Sequence, residues 1–377
     1  MTRLDPPLQQ QLDSIATEVV APQAAAVDRE GTFPKAAVDR LAADGLLGLI
    51  SAREVGGMGR TPGLAALVVE RLARECGSTA MVLTMHYAGT TVVEKHAPLE
   101  ARRAIASGRH LSTLAFSETG SRSHFWAPVG TATRGGDGRI TLNARKSMVT
   151  AAGRATAYVW SSRPVAAEGM STLWLVPADA PGLGCPTPFD GLGLRGNDSR
   201  AVAAEGVVVP GSARLGADGE GFAIMMGTVL PAFNLMSAAF SVGLMEGAIG
   251  RAVAHASSSR YAHLDSSLAD LPTVRAYIAR MRIGADMARA LLVDAIDAVD
   301  SGREDAMLRV LECKAAAAET SLEVLATAMR VSGGAAYRRE VGLGRYFRDA
   351  QASSVMAPTT DQLYDFIGKA VCGLPLF

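Results

Sequence analysis

The sequence predicts a mixed α+β protein in which a helical part comes first, an all-β part second and another helical part last. In residues 8–109 apolar side chains recur at spacings of three and four, which indicates amphipathic helices. Residues 110–209 contain short segments rich in β-branched side chains and bounded by glycine, which is typical of strands. From residue 222 onward the chain is rich in Ala, Leu and Met, which predicts long helices at about 223–260, 272–301 and 304–332. We therefore expect three domains, at residues 1–112, 113–221 and 222–377.

Charge and composition exclude several classes of function. The chain has 377 residues with 37 Lys and Arg against 37 Asp and Glu, so it carries no net charge that would attract nucleic acid or an anionic membrane surface. No apolar run approaches the roughly 18 to 20 residues that span a bilayer. The N-terminal segment lacks the apolar core of a secretory signal and is typical of an amphipathic helix. We expect a cytoplasmic protein that binds neither nucleic acid nor a membrane.

The cysteines predict neither a disulfide framework nor a zinc site. They are far apart in the chain, and no pair has the Cys-x-x-Cys spacing. The four are Cys76, Cys185, Cys313 and Cys372.

Four segments, in order along the chain, carry a specific resemblance. They read LAFSETGSRS at residues 114–123, RKSMVT at 145–150, RVSGGAAY at 330–337 and RYFRDAQASSVMAPTTDQL at 345–363. Together they resemble the active-site segments of the acyl-CoA dehydrogenase flavoproteins. The resemblance implies that family's fold, with an N-terminal helical domain, a β-barrel-like middle domain and a C-terminal four-helix bundle. It also implies FAD as the cofactor.

The first two segments imply contacts with the flavin ring. By position Phe116 and Ser117 lie along the flavin, and Ser123 matches a serine that meets the thioester end of the substrate. Met148 replaces the family's tryptophan, and a methionine can fill apolar space against a ring or serve as a core side chain. Thr150 matches a threonine that bonds near the flavin N5.

The C-terminal segments imply further contacts with FAD, some of them across a subunit interface. Thr359 matches a threonine that contacts the flavin, and Asp361 follows it in the same register. The resemblance assigns the remaining contacts to the ADP part of a flavin held by a neighbouring subunit, where glycines allow close approach to phosphate and arginine can pair with it. These residues are Arg260, His263, Arg330, Gly333 and Gly334. A homodimer or homotetramer is therefore expected.

The family's catalytic glutamate is missing. In the family a glutamate removes the α-proton of the substrate, and its position in this chain is Ala357. The alternative position for that glutamate, on the first long C-terminal helix, corresponds to Phe233, and Asn234 takes the place of the arginine beside it. Two histidines remain as candidate bases because imidazole has a suitable pKa: His86 on a helix predicted to line the acyl pocket, and His124 beside the flavin segment.

Three functions stay open at this point. The first is an FAD-dependent oxidoreductase acting on an acyl thioester, carried by CoA or a carrier protein, that passes electrons to an electron-transfer flavoprotein. The second is a flavin-dependent monooxygenase on the same fold, which uses flavin reduced by a partner reductase together with O₂ and another small-molecule substrate, and which needs no α-proton base. The third is a flavin-binding protein without turnover.

Overall fold

The N-terminal part consists of helices packed around one largely buried helix. The computed structural model describes residues 3–376. Helices α1 to α6 span Pro6–Ser14, Ala21–Glu30, Lys35–Ala43, Pro62–Ala73, Gly77–His96 and Leu99–Ala106. Helix α4 starts where the Thr61 hydroxyl accepts a hydrogen bond from Leu64 N at 3.3 Å, with Pro62 in the first turn. Helix α5 is buried on almost every side, so it lies at the centre of the molecule and reaches the site described below.

The middle part contains two four-stranded sheets. Strands β1 to β8 span Ser112–Ala115, Thr131–Arg134, Ile140–Val149, Ala157–Ser162, Thr172–Pro177, Leu183–Gly184, Arg200–Val209 and Arg214–Leu215. One sheet has the order β1-β4-β5-β8 and the other β2-β3-β7-β6. Apolar side chains from both sheets, including Trp160, Trp174 and Leu142, form a core of their own. The predicted strands at residues 138–150, 157–162, 171–179 and 201–210 are confirmed as β3, β4, β5 and β7.

The C-terminal part is a bundle of long helices. Helices α7 to α12 span Gly221–Ile224, Leu230–Ser258, Pro272–Ser301, Ala306–Ser332, Leu343–Val355 and Thr360–Val371. A π-helical turn at Met225–Val229 joins α7 to α8 without a break. The predicted long helices are confirmed, since the continuous helix Gly221–Ser258, α9 and α10 begin and end within a few residues of the expected positions.

Helix α8 is the axis of the bundle. Small residues allow close approach by its neighbours, because a Cβ at Gly243 would lie 2.3 Å from Glu70 O of α4 and one at Gly247 would lie 2.6 Å from Tyr346 Cε1 of α11. The continuous helix Gly221–Ser258 is long and apolar enough to cross a membrane by length and composition alone, but 67% of its most apolar stretch is buried inside the protein. Its apolar character is therefore accounted for by packing in the protein core.

Candidate active site

A cavity lies where the three parts of the chain meet. Its walls come from α5, from β1 and the segment after it, from β3, from the start of α8 and from the turn between α11 and α12. The lining residues are Met85, Leu114, Phe116, Ser117, Phe125, Ser147, Met148, Val229, Leu230, Phe233 and Ala357. None of these side chains is ionisable. The wall is mostly apolar, with hydroxyl groups only at Ser117 and Ser147.

A β-bulge places Ser147 and Met148 at the cavity. Lys146 is paired with Val202 and Val149 with Arg200, so β3 contains one residue more than β7 across this interval. Met148 has a φ of 52°, and its side chain is 68% exposed. A bulge bends the strand and redirects side chains, which explains why Met148 points out of the sheet. The structure thus excludes a core role for Met148 and leaves it available to contact a bound ring.

The two hydroxyl-bearing segments are tied to each other. Ser147 N donates to Ser117 O at 2.8 Å, which joins the bulge to the segment after β1. Phe116 is buried, and its ring stacks on that of Phe125 at a centroid distance of 6.4 Å. Ser117, Phe116 and Met148 therefore form one continuous surface.

A buried ion pair supports this surface from behind. Lys146 Nζ donates to Glu118 Oε1 at 2.5 Å and to Ser161 O at 2.7 Å, and the side chains of Lys146 and Glu118 are 0% and 2% exposed. Glu118 Oε2 accepts from the backbone N–H groups of Val129 and Gly130 at 2.8 and 2.9 Å. Burial lowers the pKa of Lys146 to about 8, although Glu118 opposes this. Glu118 follows Ser117 and Lys146 precedes Ser147, so this ion pair holds the two serines in fixed positions relative to each other.

A second buried lysine holds the turn that carries Ala357. Lys314 of α10 donates from Nζ to Pro358 O at 2.5 Å and to Met356 O at 3.1 Å, and it contacts the Phe233 ring at 5.9 Å from the centroid. Burial lowers the pKa of this lysine to about 7. Lys314 was not among the predicted site residues. The signal available in the sequence was a single charge in an otherwise apolar stretch, CKAAAA, of a long helix.

The two positions that the sequence resemblance assigns to the family's glutamate both lie at the cavity. Ala357 and Phe233 line it together, so the register expected from the sequence brings them to one place. Neither residue bears a carboxylate. None of the described side chains that line the cavity can therefore act as a base at this wall. A group that accepts a proton here must be one that does not line the cavity.

His86 does not line the cavity. It is fully buried, its Nε2 lies 2.9 Å from Leu47 O, and its Nδ1 accepts from Ser112 N at 3.0 Å. Burial lowers its pKa to about 4. The neighbouring residue on α5, Met85, is the one that lines the cavity, and the role of His86 as a base stays a prediction. His86 instead joins α5 to the segment around Leu47 and to β1.

His124 and Ser123 are close in the sequence to the cavity-lining residues Ser117 and Phe125, but neither of them lines the cavity. His124 is exposed, and its ring packs against Trp126 at a centroid distance of 5.0 Å. Ser123 is half-buried in the same turn. Their predicted roles stay predictions.

The other residues expected to contact the flavin in the same chain have local partners. The Thr150 hydroxyl lies 3.0 Å from the Ser199 hydroxyl, and Thr359 caps α12 by accepting from Gln362 N at 3.3 Å. Asp361 is exposed in the first turn of α12. None of the three lines the cavity, and their flavin contacts stay predictions.

The residues expected to reach a neighbouring subunit's flavin are exposed and lie away from the cavity. Arg330 Nη2 donates to Tyr277 Oη at 2.8 Å, and Arg260 pairs with Asp265 at 2.6 Å. His263 is exposed, with its ring 5.9 Å from that of Tyr261. A Cβ at Gly333 or Gly334 would meet nothing within 4 Å. This open surface leaves room for close approach by a ligand.

The residues present at the cavity fit a flavin ring. Phe116 and Met148 provide apolar surface, while Ser117 and Ser147 supply hydroxyl and backbone groups beside it. An isoalloxazine needs this combination, since it has flat apolar faces and an edge of hydrogen-bonding atoms.

Comparison with known proteins identifies the family. Three domain models match in order: the acyl-CoA dehydrogenase N-terminal domain at residues 7–106, the middle domain at 113–207 and the C-terminal domain at 219–372. The chain is 29% identical over 365 residues to cyclohex-1-ene-1-carbonyl-CoA dehydrogenase of Geobacter metallireducens, covering 95% of each chain. It is 29% identical over 356 residues to the human mitochondrial short-chain specific acyl-CoA dehydrogenase, covering 92% of this chain and 84% of the human protein.

Solved structures share the fold. Butyryl-CoA dehydrogenase from Megasphaera elsdenii superimposes with a TM-score of 0.90 at 22% identity, covering 99% of this chain and 100% of that one. PigA with FAD and proline superimposes with a TM-score of 0.90 at 19% identity, covering 99% of each chain. The matches to all three domains, in order and over nearly the whole chain, show that this protein belongs to the acyl-CoA dehydrogenase family and is a flavin-dependent oxidoreductase that uses FAD.

Proposed function

We propose that this protein oxidises an acyl thioester, carried by CoA or by a carrier protein, at a flavin site that lacks the family's glutamate base. The observation that carries the proposal is the apolar cavity between the surface of Phe116 and Met148 on one side and the wall of Phe233 and Ala357 on the other. An acyl group placed between these walls would lie against the flavin. The relatives named as dehydrogenases of CoA thioesters support this substrate class.

The flavin contacts follow from the same proposal. A bound FAD supplies the acceptor for a hydride from the acyl β-carbon. In the same chain the proposed contacts are Phe116, Ser117, Ser123, Met148, Thr150, Thr359 and Asp361. For the flavin of a neighbouring subunit they are Arg260, His263, Arg330, Gly333 and Gly334. The exposure of the second group supports a homodimer or homotetramer, in which they would complete a site that one chain does not complete.

The side chains at the cavity orient the substrate and exclude water, but they do not accept its α-proton. Dehydrogenation removes that proton together with the hydride, so a base outside the lining side chains, such as His124 or a group of the substrate, would take it. Loss of a positioned base lowers the rate by about 10² to 10⁴. We therefore expect slow dehydrogenation of simple acyl thioesters, with electrons leaving the flavin for an electron-transfer flavoprotein.

The vacant base position favours a second candidate, a flavin-dependent monooxygenase. Ala357 and Phe233 occupy both places where the family could hold a carboxylate, and a monooxygenase needs no base for an α-proton. Such an enzyme uses reduced flavin and O₂, and it obtains its electrons from a flavin reductase. One oxygen atom would enter the substrate and the other would leave as water.

Product analysis separates the candidates. Purified protein loaded with FAD is incubated with acyl-CoA substrates and an artificial electron acceptor, and separately with a reductase system under ¹⁸O₂. A product that has lost two hydrogens supports the thioester dehydrogenase, and a product that contains one labelled oxygen supports the monooxygenase. Recovery of every substrate unchanged from both reactions would contradict both proposals and leave flavin binding without turnover.

A further inference from the structure

Three buried polar side chains next to the cavity lack hydrogen-bond partners. Both amide atoms of Asn234, the Ser237 hydroxyl and the Thr360 hydroxyl find no partner among the described residues. Asn234 is 0% exposed, Ser237 1% and Thr360 3%. Burying such groups without a partner is unfavourable, so each one calls for an explanation in terms of what it binds.

Two of the three lie on α8, directly after the residues of that helix that line the cavity. Val229, Leu230 and Phe233 line the cavity from the start of α8. Ser237 follows Phe233 by four residues and Leu230 by seven, and residues at these spacings share one face of a helix. Asn234 follows Leu230 by four. The lining face of α8 therefore continues into Ser237 and Asn234.

The packing of α11 on α8 brings the third residue to the same place. Ser241 Oγ donates to Ser353 Oγ at 2.9 Å, and a Cβ at Gly247 would lie 2.6 Å from Tyr346 Cε1. Since α8 positions decrease as α11 positions increase, the two helices run antiparallel. Lys314 links the same part of α8 to the segment after α11, because it contacts the Phe233 ring and donates to Pro358 O, two residues before Thr360.

We propose that Asn234, Ser237 and Thr360 form a subsite for an uncharged hydrogen-bonding group, such as a hydroxyl, on the acyl part of the substrate. The proposal rests on the proposed thioester function and adds the class of acyl group. An amide offers both a donor and an acceptor, which suits a hydroxyl. Lys314, which contacts Phe233, already donates to two carbonyl oxygens and does not demand an anionic ligand.

The subsite would select against plain alkyl chains. An alkyl group that fills this space leaves Asn234 and Ser237 unpaired, and a site built to hydrogen-bond a substrate hydroxyl strongly rejects the analogue that lacks it. An acyl group that carries a hydroxyl satisfies the same atoms. Its supply requires a reaction that leaves a hydroxyl on an acyl thioester, such as hydration of an enoyl thioester.

A binding experiment on the FAD-loaded protein tests this subsite without relying on turnover. Butyryl-CoA, 3-hydroxybutyryl-CoA and 4-hydroxybutyryl-CoA are titrated separately, and binding is read from the perturbation of the visible flavin absorbance. At least one hydroxyacyl-CoA is expected to bind about tenfold or more tightly than butyryl-CoA. Equal or weaker binding of both hydroxyacyl-CoAs would overturn the subsite while leaving the thioester function intact.

Substitutions test whether Asn234 and Ser237 cause the preference for a hydroxyacyl-CoA over butyryl-CoA. Asn234→Leu is expected to abolish the preference for the hydroxyacyl-CoA while keeping the binding of butyryl-CoA, and Ser237→Ala, a smaller change, is expected to reduce it. Ser241→Ala is the matched control on the same helix face, because the Ser241 hydroxyl is already bonded to Ser353. A preference that survives in both Asn234→Leu and Ser237→Ala would overturn the assignment; if the first variant does not fold, the second decides. Absence of binding by any thioester would instead overturn the proposed function and the subsite with it.

Discussion

Ala357 and Lys314 define the chemistry available at the end of the cavity. The methyl group of Ala357 lies at the wall, and the carbonyl groups on either side of it accept from the Lys314 ammonium. The backbone geometry of the turn is therefore held in place even though the side chain there is inert. Because the backbone of the turn is held by Lys314 and not by the side chain of Ala357, residue 357 is a suitable position for substitution.

Ala357→Glu is expected to increase the rate of flavin reduction by an acyl-CoA by about 10² or more, because it places a carboxylate where the family has its base. The measurement is stopped-flow absorbance under anaerobic conditions. Ala357→Gln has nearly the same size without the charge and is the control. A flavin-loaded Ala357→Glu protein that is no faster than Ala357→Gln would show that the α-carbon does not lie beside residue 357.

Lys314→Met is expected to change how stability depends on pH. The pKa of Lys314 is lowered to about 7 in the folded protein by burial, whereas an unfolded lysine titrates at about 10.4. Between these values the unfolded chain binds more protons, so the wild-type free energy of unfolding gains a contribution that rises with pH from about 7 to 10. The variant lacks this contribution, and the contribution of Lys146 is common to both proteins.

Urea unfolding at a series of pH values measures the difference. The stability advantage of the wild type over Lys314→Met should grow as pH rises through this window. Lys35→Met removes a lysine whose side chain is 74% exposed, and it controls for the loss of one positive charge. A constant difference between wild type and Lys314→Met at every pH would contradict the account of Lys314.

At the scale of secondary-structure elements, the bulge in β3 and the ion pair beneath it shape the cavity wall that contains Ser117 and Met148. Strand β3 carries two ion pairs of different character. Lys146 pairs with Glu118 in the interior, whereas Arg145 pairs with Glu205 at the surface with side chains 82% and 71% exposed. Buried and exposed pairs differ strongly in the cost of removing one partner.

Glu118→Gln is expected to lower the free energy of unfolding by about 3 to 5 kcal/mol, because it leaves Lys146 buried without its counter-ion. We also expect weaker retention of FAD, since the segments around Ser117 and Ser147 lose their common support. Glu205→Gln, on the exposed pair, is expected to change stability by less than about 1 kcal/mol. Chemical denaturation and the flavin content after gel filtration measure both effects, and equal stabilities of the two variants would contradict this account.

The sequence predicted elements better than it predicted contacts. Helix α9 was expected at 272–301 and is found at Pro272–Ser301, because its ends are marked by proline at the start and glycine just after the end. The order of the motifs predicted that Phe116, Ser117 and Met148 belong to one site, and all three line the cavity. His86 does not line the cavity whereas Met85 does, and a helical pattern does not say which of two adjacent residues faces a cavity. Lys314 and the unpartnered Asn234 depend on packing between helices far apart in the chain, which local patterns do not encode.

At the scale of the whole molecule, the account requires a second copy of the chain. Gly333 and Gly334 lie on an exposed surface with Arg330, away from the cavity of their own chain. A Cβ at Gly334 meets nothing within 4 Å, so one chain alone offers no steric reason for a small residue there, whereas the φ of 53° at Gly333 itself favours glycine. A flavin held by a neighbouring subunit would supply that reason.

Gly334→Met is expected to reduce FAD retention while leaving the stability of the flavin-free protein unchanged, because the added side chain meets only the neighbouring subunit's flavin. Gly368→Met, at another exposed and open position, is the control. Flavin content and thermal unfolding of the flavin-free proteins are measured together. Full retention of FAD by Gly334→Met would argue against a flavin contact at this surface.

The central claim is that an acyl thioester delivers electrons to a flavin in this cavity. The most direct measurement is the visible absorbance of the FAD-loaded protein under anaerobic conditions, recorded before and after addition of acyl-CoAs that include hydroxyacyl derivatives. The account predicts loss of the oxidised flavin band with at least one of these thioesters, slowly in the wild type and faster in Ala357→Glu. A flavin band that no thioester bleaches in either protein would contradict it.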